Sequence, residues 1–176
     1  IKNSPVRCPD DKAEKEMMSL IDQVKEKQDT LGGVVEAVFT GLPIGVGSAM
    51  QWDRKLDGKL AESLMSIQAV KSVEIGGGKD TAFAFGSAVH DDIIVSEGKI
   101  TRSSNNAGGL EGGMTNGEPL VVRVSMKPIS TLMQPLPSVD LATMTPADAH
   151  IERSDVCAVP ALSIIVENVA ALTIAD

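Results

Sequence analysis

Apolar residues recur at helical spacing over residues 10–27, where Ala13, Met17, Leu20, Ile21 and Val24 share one face and Lys and Glu fill the other. This pattern predicts an amphipathic surface helix. Gln28-Asp29-Thr30-Leu31-Gly32-Gly33 breaks it as a turn, and a strand is predicted over 34–40. Gly41, Pro43, Gly45 and Gly47 make the next stretch a loop. A second helix fits 55–69, with Leu56, Leu60, Leu64 and Ile67 on one face. A short strand over 70–75, a turn at Gly76-Gly77-Gly78 and a further strand over 81–87 follow, and 88–104 contains a hairpin around Glu97-Gly98-Lys99.

The alternation is cleanest over 120–127. Leu120, Val122, Val124 and Met126 point one way and Val121, Arg123, Ser125 and Lys127 the other, as in a strand with one buried face. Residues 128–144 carry three prolines and are expected to form an extended loop. Thr145-Pro146 predicts a helix start, with threonine as cap and proline at the first position. Pro160 opens a last helix running through Ile174, and its want of a polar face places it between layers. The order predicts a single α+β domain over 1–176 with a mainly antiparallel sheet. A doubly wound fold would need repeated strand–helix alternation.

Composition narrows the function classes. The chain of 176 residues is long enough to bury a core, and its 43% hydrophobic content is ordinary. With one Trp, three Phe and no Tyr, that core must be aliphatic, and stacking platforms for single-stranded nucleic acid are nearly impossible. A formal charge of -8 argues against a general nucleic-acid binder but leaves room for a small anion held by a few basic groups. Cys8 and Cys157 make neither a disulfide framework nor a metal-ligand set, which points to a reduced, cytoplasmic compartment. No apolar run reaches the ~20 residues of a membrane span, and no signal peptide opens the chain. The opening without Met and the stop directly after an apolar run lead us to expect a piece of a longer protein.

Residues 105–119 hold five glycines within ten positions and lead straight into the clearest strand. They match neither GxGxxG nor the phosphate-cradling GxxxxGKS/T loop. Two readings stand: a set of tight turns, or a wall laid flat against a planar ligand where side chains would obstruct. Arg123 and Lys127 share a strand face, and Lys127 adjoins Pro128-Ile129-Ser130-Thr131, whose hydroxyls and amides suit an anion. A solvated strand face is the other reading. Arg153 and Asp155 precede the last helix; an arginine can clamp a phosphate and a carboxylate can hold a proton, or the two can pair with each other. Cys157 suits a small buried hydrophobe better than a nucleophile. His90, before Asp91-Asp92, and His150, placed in a helix over 149–152, make no metal site or triad. Asp10 and Asp11 fit a helix start. These residues alone support an α+β module with one anion or cofactor wall, and a small-ligand-binding or structural module fits almost as well as an enzyme.

Six segments together resemble the chorismate synthase family. They are Val6-Arg7-Cys8-Pro9-Asp10, Asp29-Thr30-Leu31-Gly32-Gly33, Leu64-Met65-Ser66-Ile67-Gln68-Ala69-Val70-Lys71, Asn106-Ala107-Gly108-Gly109-Leu110-Glu111-Gly112-Gly113, Lys127-Pro128-Ile129-Ser130-Thr131 and Arg153-Ser154-Asp155. Their order and spacing match over essentially the whole chain. The resemblance implies a sandwich of antiparallel sheets around internal helices, a homotetramer, and conversion of 5-enolpyruvylshikimate 3-phosphate to chorismate and phosphate by 1,4-anti elimination. It implies reduced FMN as cofactor, although the reaction has no net redox change.

The resemblance also implies flavin contacts at Gln68, Ala69, Gly112, Lys127, Pro128, Ile129, Ser130, Thr131 and Arg153, with Asp155 as the catalytic aspartate. There are departures. The family's two catalytic histidines and a flavin-touching Arg-Ser-Ser segment lie in an amino-terminal half that has no counterpart here, and His90 and His150 match neither histidine. Ile129 stands where Thr is common, and Ser154-Asp155-Val156 where many members have His-Asp-Pro. The expectation is a carboxy-terminal portion that carries the flavin side of the site and has no turnover alone. The alternative is a non-catalytic flavin- or anion-binding or assembly module.

Overall fold

The computed structural model describes Ile1 and residues 3–176. In chain order the first elements are α1 (Asp11–Glu26), β1 (Gly33–Phe39), a 3-10 turn (Trp52–Arg54), α2 (Leu56–Met65) and β2 (Val70–Ile75). A second 3-10 stretch (Gly78–Phe83), the short α3 (Gly86–Val89), β3 (Ile93–Ser96) and β4 (Lys99–Arg102) follow. Then come β5 (Leu110–Glu111), β6 (Met114–Thr115), β7 (Leu120–Met126), β8 (Pro137–Asp140), β9 (Thr145–Asp148) and α4 (Val159–Ala175). The architecture is the expected α+β type, antiparallel strands packed with helices. Two compact units are distinguished: one of Ile1–Gly33 and Met126–Leu162, the other of Val34–Ser125 and Ser163–Asp176.

In the larger unit β7 is the middle strand of the three-stranded sheet β1-β7-β2. Its inward side chains Leu120, Val122 and Val124 are wholly buried, as the alternation predicts. Leu56, Leu60 and Leu64 recur every four residues on α2 and are buried as one stripe. Val166 and Ala170 supply the equivalent stripe on α4, and Thr173 Oγ1 donates to Ser63 Oγ at 2.9 Å to tie α4 to α2. Full burial of aliphatic side chains of this size stabilises a fold by roughly 1.5–3 kcal/mol each, so this cluster replaces the aromatic core that the composition denies.

In the smaller unit α1 is capped by Asp10, whose carboxylate accepts from the Ala13 amide at 2.6 Å, with Asp11 and Glu14 in the first turn. None of its residues is fully buried, and Met17 and Leu20 remain about half exposed. β8 and β9 form an antiparallel hairpin in which Val139 opposes Pro146.

Five expectations need correction. Residues 81–87 are not a strand. The Thr81 hydroxyl donates to Gly78 O at 2.7 Å and winds the backbone into the 3-10 stretch, with α3 directly after. Thr145-Pro146 does not start a helix, and His150 is not helical. Asp140 Oδ1 accepts from the amides of Ala142 and Thr143 at 2.7 and 3.2 Å, which closes a turn and sends 145–148 back as β9. The predicted loop over 128–144 therefore contains β8. α2 ends at Met65, short of residue 69. Finally, α4 is not covered on all sides: Ile164, Ile165 and Leu172 are exposed opposite the buried stripe.

Candidate functional site

The glycine segment is explained first by its own backbone. β5 and β6 pair Glu111 with Met114, so Gly112-Gly113 is a two-residue hairpin loop. Both glycines have positive φ, +64° and +94°, the requirement of a type I′ turn. Gly76 and Gly108 serve another need, close backbone approach. A Cβ on Gly108 would overlap the Gly76 backbone, and one on Gly76 would overlap the Asn106 carbonyl. Turn chemistry and close backbone approach thus account for most of the excess glycine. Gly112 differs in one respect: it is exposed, and a Cβ there would meet no atom within 4 Å, so its outer side is open. A planar ligand could lie against that side.

The root of the segment is anchored by Asp91. Its carboxylate accepts from Ser104 Oγ at 2.6 Å and from the Asn106 and Ala107 amides at 2.8 Å each. Burial by itself would raise its pKa; the hydrogen bonds from Ser104, Ala107 and Asn106 outweigh it and hold the group below the ordinary 3.8. The anchor is therefore charged at neutral pH and is lost only as pH falls below that range. At the tip, Arg102 Nη2 contacts Glu111 Oε2 at 2.6 Å, and Asn116 Nδ2 donates to the same oxygen at 2.9 Å. Neither Asp91 nor Arg102 stood out in the sequence, because the bonds that define them span 9 to 16 residues and leave no periodic trace. A cavity of about 240 Å³ lies beside this root, with His90, Asp91, Asn106 and Ala107 in its wall.

Gln68 is exposed and Ala69 half-buried just before β2. Ala69 has φ +65°, a left-handed conformation that costs an L-residue roughly 1–2 kcal/mol. Strain at a non-glycine residue marks a position worth a functional test. Arg123 is removed from the candidate anion site. Its Nε pairs with Glu36 Oε2 at 2.7 Å and its Nη1 donates to Gly76 O at 2.7 Å, so it ties strands together.

In the smaller unit Lys127, Pro128 and Ser130 are exposed, and Ile129 and Thr131 are half-buried. This run is joined to the segment holding Arg153 and Asp155, since Ser154 Oγ donates to Thr131 O at 2.8 Å. The turn after α1 buttresses both: Thr30 Oγ1 donates to Ile129 O and the Leu31 amide to Val156 O, each at 2.7 Å. Gly32 fits because a Cβ there would overlap the Met126 carbonyl. In the sequence Thr30 and Gly32 are only part of a motif; in the fold they seat the two candidate segments. Lys127, Arg153 and Asp155 are all exposed, and among the described residues Arg153 and Asp155 do not form an ion pair. Cys8 and Cys157 are free thiols, both half-buried. Among the described residues no helix is long and apolar enough to cross a membrane.

Comparison with known proteins agrees with the motif reading. The family model described as Chorismate synthase matches residues 1–176. Chorismate synthase of Brevibacillus brevis (strain 47) is 57% identical over 176 residues, covering 99% of this chain and 46% of the relative. That of Geobacter metallireducens is 55% identical over 175 residues, covering 95% of this chain and 44% of the relative. A solved structure, "Crystal Structure of Chorismate Synthase", superposes with TM-score 0.78 at 45% identity over 96% of this chain and 43% of that one. The chain therefore spans less than half the length of the proteins it matches, and it belongs to the chorismate synthase family.

Proposed function

We propose that this chain is the carboxy-terminal, flavin-binding portion of a chorismate synthase. The parent enzyme, a cytoplasmic homotetramer in this reading, converts 5-enolpyruvylshikimate 3-phosphate to chorismate and phosphate with reduced FMN. One observation supports the flavin assignment: the polar and cationic side chains that the family resemblance marks, together with the open side of Gly112, are not used by the hydrogen bonds and ion pairs that hold their neighbours. Gly112 has an open outer side, Lys127 and Arg153 are exposed cations, and Ser130 and Thr131 add hydroxyls beside them. Arg123, the alternative cation in the sequence, is already paired.

Each unit by itself offers features that suit a part of FMN. A flat ring needs a surface without projecting side chains, and a phosphate dianion needs cationic and hydroxyl donors. Gln68, Ala69, Gly112, Lys127, Pro128, Ile129, Ser130, Thr131 and Arg153 would hold it. When bound, reduced FMN supplies electron density at the carbon that loses phosphate. Lys127 and Arg153 supply positive charge where anionic groups gather, and such fixed charge acts most strongly where the transition state concentrates charge. Asp155, exposed and with no cation paired to it among the described residues, is placed to hold a proton during removal of the substrate hydrogen. The exposed apolar side of α4 and the 43–46% coverage of relatives support a chain that works as part of a longer one.

Flavin titration tests the reading. The protein should quench FMN fluorescence with submicromolar to micromolar affinity, and Lys127→Ala or Arg153→Ala should each weaken binding at least about tenfold, since a charge-assisted bond contributes roughly 1.5–3 kcal/mol. Unchanged affinity in both variants would reduce the glycine segment to turn chemistry.

A further inference from the structure

Glycine-rich backbone is entropically expensive to hold still, and the two residues on each side of the Gly112-Gly113 turn form too short a ladder to fix it alone. Gly112 itself has no side chain with which to be anchored. Yet the segment is fastened at both ends by residues in and next to one neighbouring hairpin, β3–β4. Asp91, just ahead of β3, takes the Ser104 hydroxyl and the amides of Asn106 and Ala107. Arg102, the last residue of β4, reaches two places. Its Nη1 donates to Asp91 O at 3.4 Å, and its Nη2 grips Glu111, the residue immediately before Gly112. The Arg102 side chain is 20% exposed, so the ion pair is partly shielded from water and firmer than a surface pair. Glu118, at the far end of the segment, accepts from Thr101 Oγ1 at 2.6 Å and from the Arg102 amide at 3.0 Å.

We propose that Asp91 and Arg102 are positioning residues: Asp91 fixes the root of the glycine segment, and Arg102, through Glu111, sets the place of the Gly112 turn against its ligand. Neither touches the ligand. The Leu56 and Ser48 amides hold the Gly113 carbonyl at 2.9 and 3.3 Å on the other side of the turn; Asp91 and Arg102 add the restraint on the Gly112 side. This rests on the reading that Gly112 faces FMN.

The test uses the full-length enzyme and four variants: Arg102→Gln, Asp91→Asn, Gly112→Asn and Leu60→Ala. Amide exchange is followed across 106–113, and FMN affinity is measured well below the unfolding temperature. Gly112→Asn keeps a favoured Asn-Gly type I′ turn while placing a side chain on the open face. Leu60→Ala removes a buried side chain of α2 and so reports pure loss of stability. The expected result is exchange at least about tenfold faster at 110–113 in Arg102→Gln and at Asn106 and Ala107 in Asp91→Asn, since a tenfold change corresponds to the scale of one hydrogen bond. Both should bind FMN about tenfold more weakly, while Leu60→Ala lowers the unfolding temperature without changing affinity. If Gly112→Asn weakens FMN binding but Arg102→Gln and Asp91→Asn do not, the positioning role is wrong. If Gly112→Asn leaves binding intact, the flavin-wall reading itself fails and the proposal goes with it, and the exchange data still separate the two failures.

Discussion

Gly76→Ala is expected to destabilise the protein by about 3 kcal/mol or more, the sum of left-handed strain and overpacking against backbone. Gly76 has φ +58°, and its added Cβ would overlap Asn106 O, lie 2.5 Å from Gly108 N and lie 2.7 Å from the Ala107 carbonyl carbon. None of these atoms is the end of a flexible side chain. Moving them would strain the Gly77 N to Asn106 O bond of 2.7 Å, the Val121 N to Gly108 O bond of 3.1 Å and the Gly76 N to Val121 O bond of 2.9 Å. The Arg123 guanidinium would also lose its grip on Gly76 O. For a chain of this size the loss corresponds to a fall in unfolding temperature of roughly 10 °C. Thermal unfolding followed by circular dichroism measures it, and an unchanged midpoint would show that the close approach of 76 and 108 is not a constraint of the native fold. Gly112→Asn, with open space around it, should leave the midpoint unchanged.

The 176-residue polypeptide by itself is expected to give no chorismate from 5-enolpyruvylshikimate 3-phosphate under anaerobic conditions with reduced FMN. The family resemblance implies two catalytic histidines and an Arg-Ser-Ser flavin segment outside this chain, and His90 and His150 match neither histidine. His90 lines the cavity at the root of the glycine segment, and His150 lies 3.8 Å from Glu152 on an exposed stretch. General acid–base groups contribute roughly 10²–10⁴-fold each, so losing two lowers turnover by about 10⁴-fold or more. Chorismate formed at a rate near that of a full-length relative would overturn the assignment of the chemistry to residues outside this chain. The same experiment separates an incomplete enzyme from a non-catalytic module, because the former regains activity when the remaining length is supplied.

Sequence pattern revealed the fold best where one physical demand acted alone. The period-two run of β7 and the four-residue repeat of α2 each reflect burial of one face, and Leu120, Val122, Val124, Leu56, Leu60 and Leu64 are buried as predicted, while Met126 and Ile67, at the ends of the two patterns, are only half-buried. It misled where local polar bonds overrode pattern. Thr81, Phe83 and Phe85 alternate like a strand, but the Thr81 hydroxyl bond to Gly78 O winds the segment. Thr145-Pro146 carries a helix-start signature, yet Asp140 had already closed a turn across 140–144. The last helix looked sandwiched because it is apolar all round, whereas this chain buries only one of its sides.

The candidate site was legible through its motifs and illegible in its supports. Gly112, Lys127 and Arg153 are short-range features beside recognisable segments. Thr30 bonds Ile129 across 99 residues, and Asp91 bonds Ala107 across 16, and no local pattern announces either. Excess glycine proved to have two causes, close backbone approach at Gly76 and Gly108 and a type I′ turn at Gly112-Gly113. Within residues 105–119, Gly112 combines the turn with an open outer side.

The central claim is that this chain carries the flavin side of a chorismate synthase site. Amide chemical-shift mapping of the isotopically labelled protein during FMN titration tests it most directly. Saturable shifts should concentrate at Gln68, Ala69, Gly112, the amides of 127–131 (Pro128, with no amide, excepted) and Arg153. Saturable shifts confined to other regions, or none with millimolar FMN, would contradict it.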